Sequence, residues 1–151
     1  MKPNVIMILI DDLGWMDLSC QGSSFYETPH IDQLRKEGMA FDQAYAACPV
    51  CSPSRASILS GKYPARLKVT DWIDHENYHP CRGKLIDAPY IKELPVSEFS
   101  MAKAFQEAGY QTWHVGKWHL GKEATYPEHH GFDVNLGAIL ALHIPLVLRL
   151  L

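Results

Sequence analysis

Val5-Ile6-Met7-Ile8-Leu9-Ile10 is an unbroken apolar run, rich in β-branched side chains. A strand with one wet face alternates apolar and polar positions, whereas a strand covered on both faces does not. The run therefore predicts a strand inside a parallel sheet. Parallel neighbours need crossover connections, commonly helices, and the chain supplies candidates. Thr28-Pro29 reads as an N-cap followed by proline at the first helical position, with Ile31, Leu34 and Arg35 continuing the helix and Gly38 ending it. Met39–Ala46 reads as a second strand weakened by alanines, and Pro53–Leu59 as a helix ended by Gly61 and Pro64. Residues 67–97 are rich in Pro, His, Asp and Tyr without a period, and read as loops with short elements. Ser97 is placed to cap a helix through Ala108, with Phe99, Ala102, Phe105 and Ala108 along one side and Gly109 as its stop. Tyr110–Val115 follows as a strand. Strand, helix, strand in this order predicts an α/β domain with a mainly parallel sheet flanked by helices.

Composition narrows the function classes. The 151 residues suffice for one domain, and 47% hydrophobic with 21% charged residues excludes a disordered or fibrous chain. Fourteen basic against 17 acidic residues leave a formal charge of −3, which offers no cationic field to a nucleic acid. No apolar stretch approaches the ~20 residues of a membrane span, so no span is expected. The start of the chain lacks a signal-peptide pattern, giving a cytoplasmic reading as written and a periplasmic or secreted one if a leader was removed. Localisation stays unassigned. Four scattered cysteines do not make a disulfide scaffold. Residues 137–151 turn almost wholly apolar, which reads either as a closing core element or as a truncated or aberrant end.

Three clusters could carry chemistry. Asp11 and Asp12 stand at the carboxyl end of the first predicted strand, the edge where open α/β sheets bind ligands. Adjacent carboxylates repel unless a cation relieves them, and hard oxygen donors suit Ca²⁺ or Mg²⁺ better than zinc. A solvated Asp-Asp turn accounts for the pair equally well. A phospho-receiver module also opens this way, but no later strand here closes on an acceptor aspartate. The second cluster is Cys48-Pro49-Val50-Cys51-Ser52-Pro53-Ser54-Arg55. It reads as a redox pair, as half a zinc site, or as a nucleophile at Cys51 just before a helix amino end, with Arg55 one turn on leaning back toward it. A structural cysteine beside a surface arginine is the plain alternative. The third is Gly116-Lys117-Trp118-His119-Leu120-Gly121. If this segment is extended, Lys117 and His119 share one side, a cation and a titratable ring suited to an anionic ester. A surface Lys-His turn competes with that reading.

Taken together, these stretches resemble the type I sulfatases. Cys51-Ser52-Pro53-Ser54-Arg55, continued by Ser57-Ile58-Leu59-Ser60-Gly61-Lys62-Tyr63-Pro64, is similar to the family's first signature. Gly109-Tyr110-Gln111-Thr112 leading into Gly116–Gly121 is similar to the second. Leu9-Ile10-Asp11-Asp12-Leu13-Gly14 resembles the metal-binding start, and Gly131-Phe132-Asp133 a common stretch beyond the second signature. The resemblance implies an alkaline-phosphatase-like α/β fold, with residues 1–136 as the amino-terminal portion of the catalytic domain and 137–151 as a tail departing from it.

It also implies hydrolysis of sulfate esters, on a sulfated small molecule or a sulfated glycan. A separate formylglycine-generating maturation enzyme would oxidise Cys51 to Cα-formylglycine, whose hydrate attacks sulfur with one hydroxyl and expels sulfate when the other loses its proton. Asp11, Asp12 and the modified Cys51 would ligate Ca²⁺, with Mg²⁺ less favoured. Arg55 would position the modified residue, Lys117 would bind sulfate oxygens, and His119 would assist proton removal. Family members are several hundred residues long and use a downstream Asp-Asn pair, a second histidine and another lysine with no counterpart assigned here. The expectation is an incomplete chain without turnover that aggregates through its apolar terminus. A phosphonate or phosphate monoester hydrolase of the same superfamily, or a non-catalytic fragment or binding module, are the alternatives.

The remaining candidates carry weaker signals. Trp15 and Trp113 read as packing residues, and His129-His130 as part of a surface loop. Trp72, Asp74, His75 and His79 fall in the irregular region, where substrate-selecting loops or solvated loops arise. His143, Cys20 and Cys81 receive no role.

Overall fold

The computed structural model describes residues 2–74 and 83–137. The chain divides into two compact units, Met1–Tyr45 and Ala46–Leu151. The apolar tail from residue 138, His75, His79, Cys81 and His143 lie outside the described residues.

The first unit is organised by helix α1, Pro29–Glu37. Proline costs nothing in the first turn, where its missing N–H would have had no partner. Asp32 near the start and Arg35 and Lys36 near the end complement the helix dipole. Thr28 occupies the N-cap position, but its hydroxyl does not cap; it donates to Asp32 Oδ1 at 2.8 Å. Thr28 and Asp32 instead fasten the preceding 3-10 turn, Ser19–Gln21, by accepting from the Ser19 N–H at 3.0 Å and the Cys20 N–H at 3.2 Å. Gly38 ends the helix with its N–H on the Leu34 carbonyl, at an ordinary negative φ of −109°.

The expected strands of this unit are not formed. No pairing involves Val5–Ile10 or Met39–Ala46 among the described residues. Val5–Ile10 are 45–85% exposed, and Met39, Phe41 and Tyr45 are exposed as well. A strand of the covered kind is held by its neighbours and by layers on both faces, not by its own sequence. No described residue of this unit is buried, so those layers are missing. Trp15, read as a packing residue, is exposed for the same reason.

The second unit carries the core. Helix α2 runs Cys51–Ser60 and stops at Gly61, whose φ of +67° gives a left-handed cap with its N–H on the Ser57 carbonyl. Pro64 does not merely end that helix but opens a further turn, α3 (Pro64–Leu67). Helix α4 is Met101–Glu107. Its N-cap is Ser100, accepting from the Lys103 N–H at 3.1 Å, and not Ser97. Ser97 lies inside a tight turn in which the Glu98 N–H reaches the Pro95 carbonyl, so the helix starts one turn later than the sequence suggests. Of its expected apolar side only Ala102 is buried, and Phe99 is exposed.

Strand β1 is the short Trp113–Val115, paired in parallel with β2, Val134–Leu136, in the register Trp113↔Val134, His114↔Asn135, Val115↔Leu136. The parallel pairing agrees with the expectation. The connection between the two strands is two 3-10 turns, Glu123–Thr125 and Pro127–His130, rather than a helix. Asp133 secures the start of the pair, accepting from the Thr112 N–H at 2.8 Å and from Gln106 Nε2 at 2.7 Å. The core gathers Ala56 of α2, Leu67 of α3, Val69, Ile73, Leu94, Trp118 and Leu120, flanked by Leu59, Tyr126 and Phe132. Trp113 points away from it and is exposed, contrary to its reading as a packing residue.

Candidate active site

Cys51 is the first residue of α2, not the residue before it, because Val50 takes the N-cap position with extended backbone (φ −126°, ψ 156°). The turn is closed by Ser54, whose hydroxyl lies 2.7 Å from both the Cys48 and the Val50 carbonyl. The amino end of a ten-residue helix thus stands at Cys51, where unsatisfied N–H groups favour negative charge.

The loop after β1 comes to meet it. Gly116 turns the chain at φ +108°, a value ordinary side chains avoid, and His119 itself adopts φ +58°. The segment is therefore not extended, and Lys117 and His119 do not share a side by strand alternation. A left-handed non-glycine residue costs about 1–2 kcal/mol and persists only where its surroundings hold it. Trp118 supplies one hold, buried in the core with its indole N–H donating to the Thr125 carbonyl at 2.8 Å. Arg55 supplies another, its Nη1 donating to the Lys117 carbonyl at 2.6 Å. The guanidinium thereby fastens α2 to the loop rather than only leaning toward position 51.

These holds place the His119 ring between two partners. Its Nδ1 lies 3.2 Å from Cys51 Sγ, and its Nε2 lies 2.8 Å from the Ile73 carbonyl oxygen. A carbonyl can only accept, so Nε2 carries the proton of the neutral ring and Nδ1 presents its lone pair to Cys51. His119 is 7% exposed, which keeps competing water from most of the ring. The Trp72 ring meets it edge-on, with centroids 6.1 Å apart. His114 packs edge-on against Trp118 at 5.4 Å; burial chiefly, with the charge of Arg55 in the same direction, holds its pKa below the usual value.

His130, expected in a surface loop, is instead buried. Its ring is fully buried against Trp118, with centroids 5.2 Å apart. His129, its neighbour, is exposed as expected. Burial, helped by the nearby positive charges of Lys103 and His129, lowers the His130 pKa to about 4. Neither Ile73 nor Tyr90 carries a signal of its placement in the sequence. Ile73 acts through its backbone, for which no side-chain pattern exists.

Cys48 and Cys51 are both free thiols, in keeping neither with a disulfide pair nor, among the described residues, with any gathering of three or more His, Cys, Asp or Glu side chains able to hold a metal. Asp11 and Asp12 belong to the first unit, Asp11 partly buried and Asp12 exposed at φ +56°. The pair supplies hard oxygen donors, whereas a calcium ion takes about six to eight oxygens. Two carboxylates by themselves do not make up such a shell, and no third His, Cys, Asp or Glu side chain among the described residues joins them.

The family model for the sulfatases matches residues 3–141. The chain belongs to the sulfatase family. It is 40% identical over 142 residues to the steryl-sulfatase of Rattus norvegicus, a match covering 89% of this chain and 23% of the relative. It is 39% identical over 137 residues to the N-acetylgalactosamine-6-sulfatase of Mus musculus, covering 90% and 25%. Among solved structures, Ps i-CgsB in complex with k-i-k-neocarrahexaose superimposes with a TM-score of 0.71 at 35% identity, covering 91% of this chain and 29% of that one. This sulfatase chain thus spans about a quarter of the length of the curated relatives it matches. Its fold is the amino-terminal part of the alkaline-phosphatase-like sulfatase architecture. Sulfatases as a family depend on formylglycine and a metal.

Proposed function

We propose that the chain is the amino-terminal part of a sulfuric ester hydrolase that acts on sulfated sugars, with residue 51 as nucleophile and His119 as its base. The observation that carries this reading is the 3.2 Å approach of His119 Nδ1 to Cys51 Sγ at the amino end of α2. The second support comes from the relatives: N-acetylgalactosamine-6-sulfatase is named for a sulfated sugar, and steryl-sulfatase for the wider class of sulfate esters.

The residues divide the work as follows. Once Cys51 is converted to Cα-formylglycine, its hydrate supplies two geminal hydroxyls: one attacks sulfur as the ester S–O bond breaks and the alcohol leaves, and the other is then deprotonated as the C–O bond to sulfate breaks and the aldehyde is restored. His119 Nδ1 stands where it can accept that proton, because Nε2 is already committed to the Ile73 carbonyl. Lys117, partly buried beside the same loop, provides positive charge for the sulfate oxygens, and the end of α2 adds its N–H dipoles. Arg55 keeps the loop and the helix in register through the Lys117 carbonyl. Asp11 and Asp12, like the modified residue 51, offer oxygen donors of the kind a Ca²⁺ ion takes, and such an ion would supply charge screening for a sulfate.

The test is peptide mass spectrometry across residue 51 after expression with a formylglycine-generating enzyme. Conversion of the thiol to the aldehyde lowers the peptide mass by about 18 units. A peptide that keeps its thiol under those conditions overturns the assignment of the nucleophile. Faster cleavage of an aryl phosphonate than of the matched aryl sulfate, measured on the full-length parent, would move the substrate class to phosphorus esters.

A further inference from the structure

Three consecutive backbone carbonyls, of Trp72, Ile73 and Asp74, each meet a different side-chain donor. The Tyr90 hydroxyl donates to the Trp72 carbonyl at 2.8 Å, His119 Nε2 to the Ile73 carbonyl at 2.8 Å, and Lys92 Nζ to the Asp74 carbonyl at 2.9 Å. On the other edge of the same strap, the Ile73 N–H donates to Ser52 Oγ at 3.2 Å, directly after Cys51. No helix or strand includes residues 68–74, so these side-chain bonds replace the ladder that would otherwise fix such a segment.

The clamp is internally braced. Lys92 Nζ sits 5.9 Å from the Tyr90 ring centroid, within the range of a cation–π contact, and the intervening Ile91 N–H reaches the Lys68 carbonyl at 2.7 Å. Burial, with the carboxylates of Asp71, Asp74 and Asp87, pushes the Tyr90 pKa above its usual value, so the phenol remains a donor. The Ile73 side chain is 3% exposed in the core, which anchors the middle of the strap.

We propose that Tyr90 and Lys92 are positioning residues that hold the Trp72–Asp74 backbone so that the Ile73 carbonyl fixes His119 in the tautomer with its proton on Nε2. The proposal rests on His119 being the base of the site, since that tautomer alone leaves Nδ1 unprotonated and able to take a proton from residue 51. The ring's hydrogen bond has an ordinary length of 2.8 Å, and its acceptor lies between two carbonyls that are themselves held. Released from Tyr90 and Lys92, the carbonyl moves with its loop and the imidazole exchanges its proton between nitrogens.

The experiment is two-bond ¹H–¹⁵N spectroscopy of the full chain labelled in histidine. The His119 signals are assigned by their loss in His119→Gln. The unsubstituted chain is expected to show His119 as the Nε2–H tautomer. In the Tyr90→Phe/Lys92→Met double variant the Nδ1–H population should rise roughly fivefold or more, the change expected from losing about one hydrogen bond's worth of bias. Lys92→Arg, which keeps a donor, should restore the original ratio when Tyr90 is intact. If the double variant does not fold, the two single variants are read in the same way.

A role in packing alone would lower the melting temperature and leave the tautomer ratio unmoved, and that result overturns the proposal. So does an Nδ1–H ring in the unsubstituted chain. The readout involves no sulfate, so failure of sulfate esters to bind would count against the proposed function without touching the tautomer result.

Discussion

The Arg55 guanidinium donates to the backbone carbonyl of Lys117 at 2.6 Å, joining the helix that begins at Cys51 to the loop that carries His119. The acceptor is part of the main chain, so the bond fixes the path of the loop and not merely one side chain. Arg55→Ala should destabilise the second unit by about 1.5–3 kcal/mol, the range for a hydrogen bond from a charged donor. Arg55→Lys should recover only part of that, because an ammonium is a point donor without the planar fork. Urea unfolding followed by far-UV circular dichroism measures both.

Two serines three residues apart make a paired test of where α4 begins. Ser100 Oγ accepts from the Lys103 N–H and also donates to the His130 carbonyl. Ser100→Ala should cost about 1–2 kcal/mol, at the upper end for an N-cap. Ser97→Ala should stay within about 0.5 kcal/mol, as for an exposed turn residue. Equal losses in the two variants would show that the helix starts earlier.

His130 makes the second unit sensitive to acid. Its pKa falls from 6.5 to about 4 on folding, so between those values the unfolded chain binds the extra proton. The stabilisation from keeping this ring neutral is present above pH 6.5 and is lost as pH falls toward 4. Lys103 and His129 are the charges that add to the burial, and both are repelled by a protonated ring. His130→Phe keeps a flat ring against Trp118 and removes the titration, so its melting temperature should fall less steeply from pH 6.5 to 4 than that of the unsubstituted chain. Parallel curves would contradict this. Asp133, whose carboxyl is held below its usual range by hydrogen bonds from Thr112 and Gln106, acts at lower pH: its contribution is present above about pH 4 and disappears on further acidification.

Gly121 leaves no room for a side chain. Its φ is +131°, and an added Cβ would stand 2.0 Å from Thr125 Oγ1 and 2.8 Å from Glu93 Cβ. Backbone strain alone costs about 1–3 kcal/mol at such a position. Gly121→Ala should therefore destabilise by at least that amount and shift the Thr125 carbonyl that holds the Trp118 indole, which tryptophan fluorescence would register as a red shift.

The sequence carried the helices well where their ends are chemical. Pro29 and Gly61 mark a start and a stop through backbone constraints of their own, and the structure places them there. Ser97 misled because a hydroxyl that can cap is equally suited to a turn, and the Pro95–Glu98 turn claims it. Val5–Ile10 reads as a covered strand, yet among the described residues it has no strand partner and its side chains are exposed, because such a strand is held by neighbours and not by its own sequence. Cys51 and Arg55 stood out in one cluster and His119 in another, joined in the sequence only by the resemblance to the sulfatases, and the structure brings the three to one corner of the second unit. The Ile73 carbonyl was not legible, because every residue has a carbonyl and only tertiary structure selects one. His130 was missed for a related reason: next to His129 in a polar stretch, nothing in its neighbours announces a buried ring.

The two atoms nearest to the proposed chemistry are separated by 68 positions along the chain. A ribosome adding about 5–20 residues per second needs on the order of three to fourteen seconds to get from one to the other. For that interval the newborn thiol is without the His119 imidazole. Whatever reagent or catalyst reaches residue 51 then meets a side chain without that partner, and afterwards one that is partly buried and already engaged by the ring.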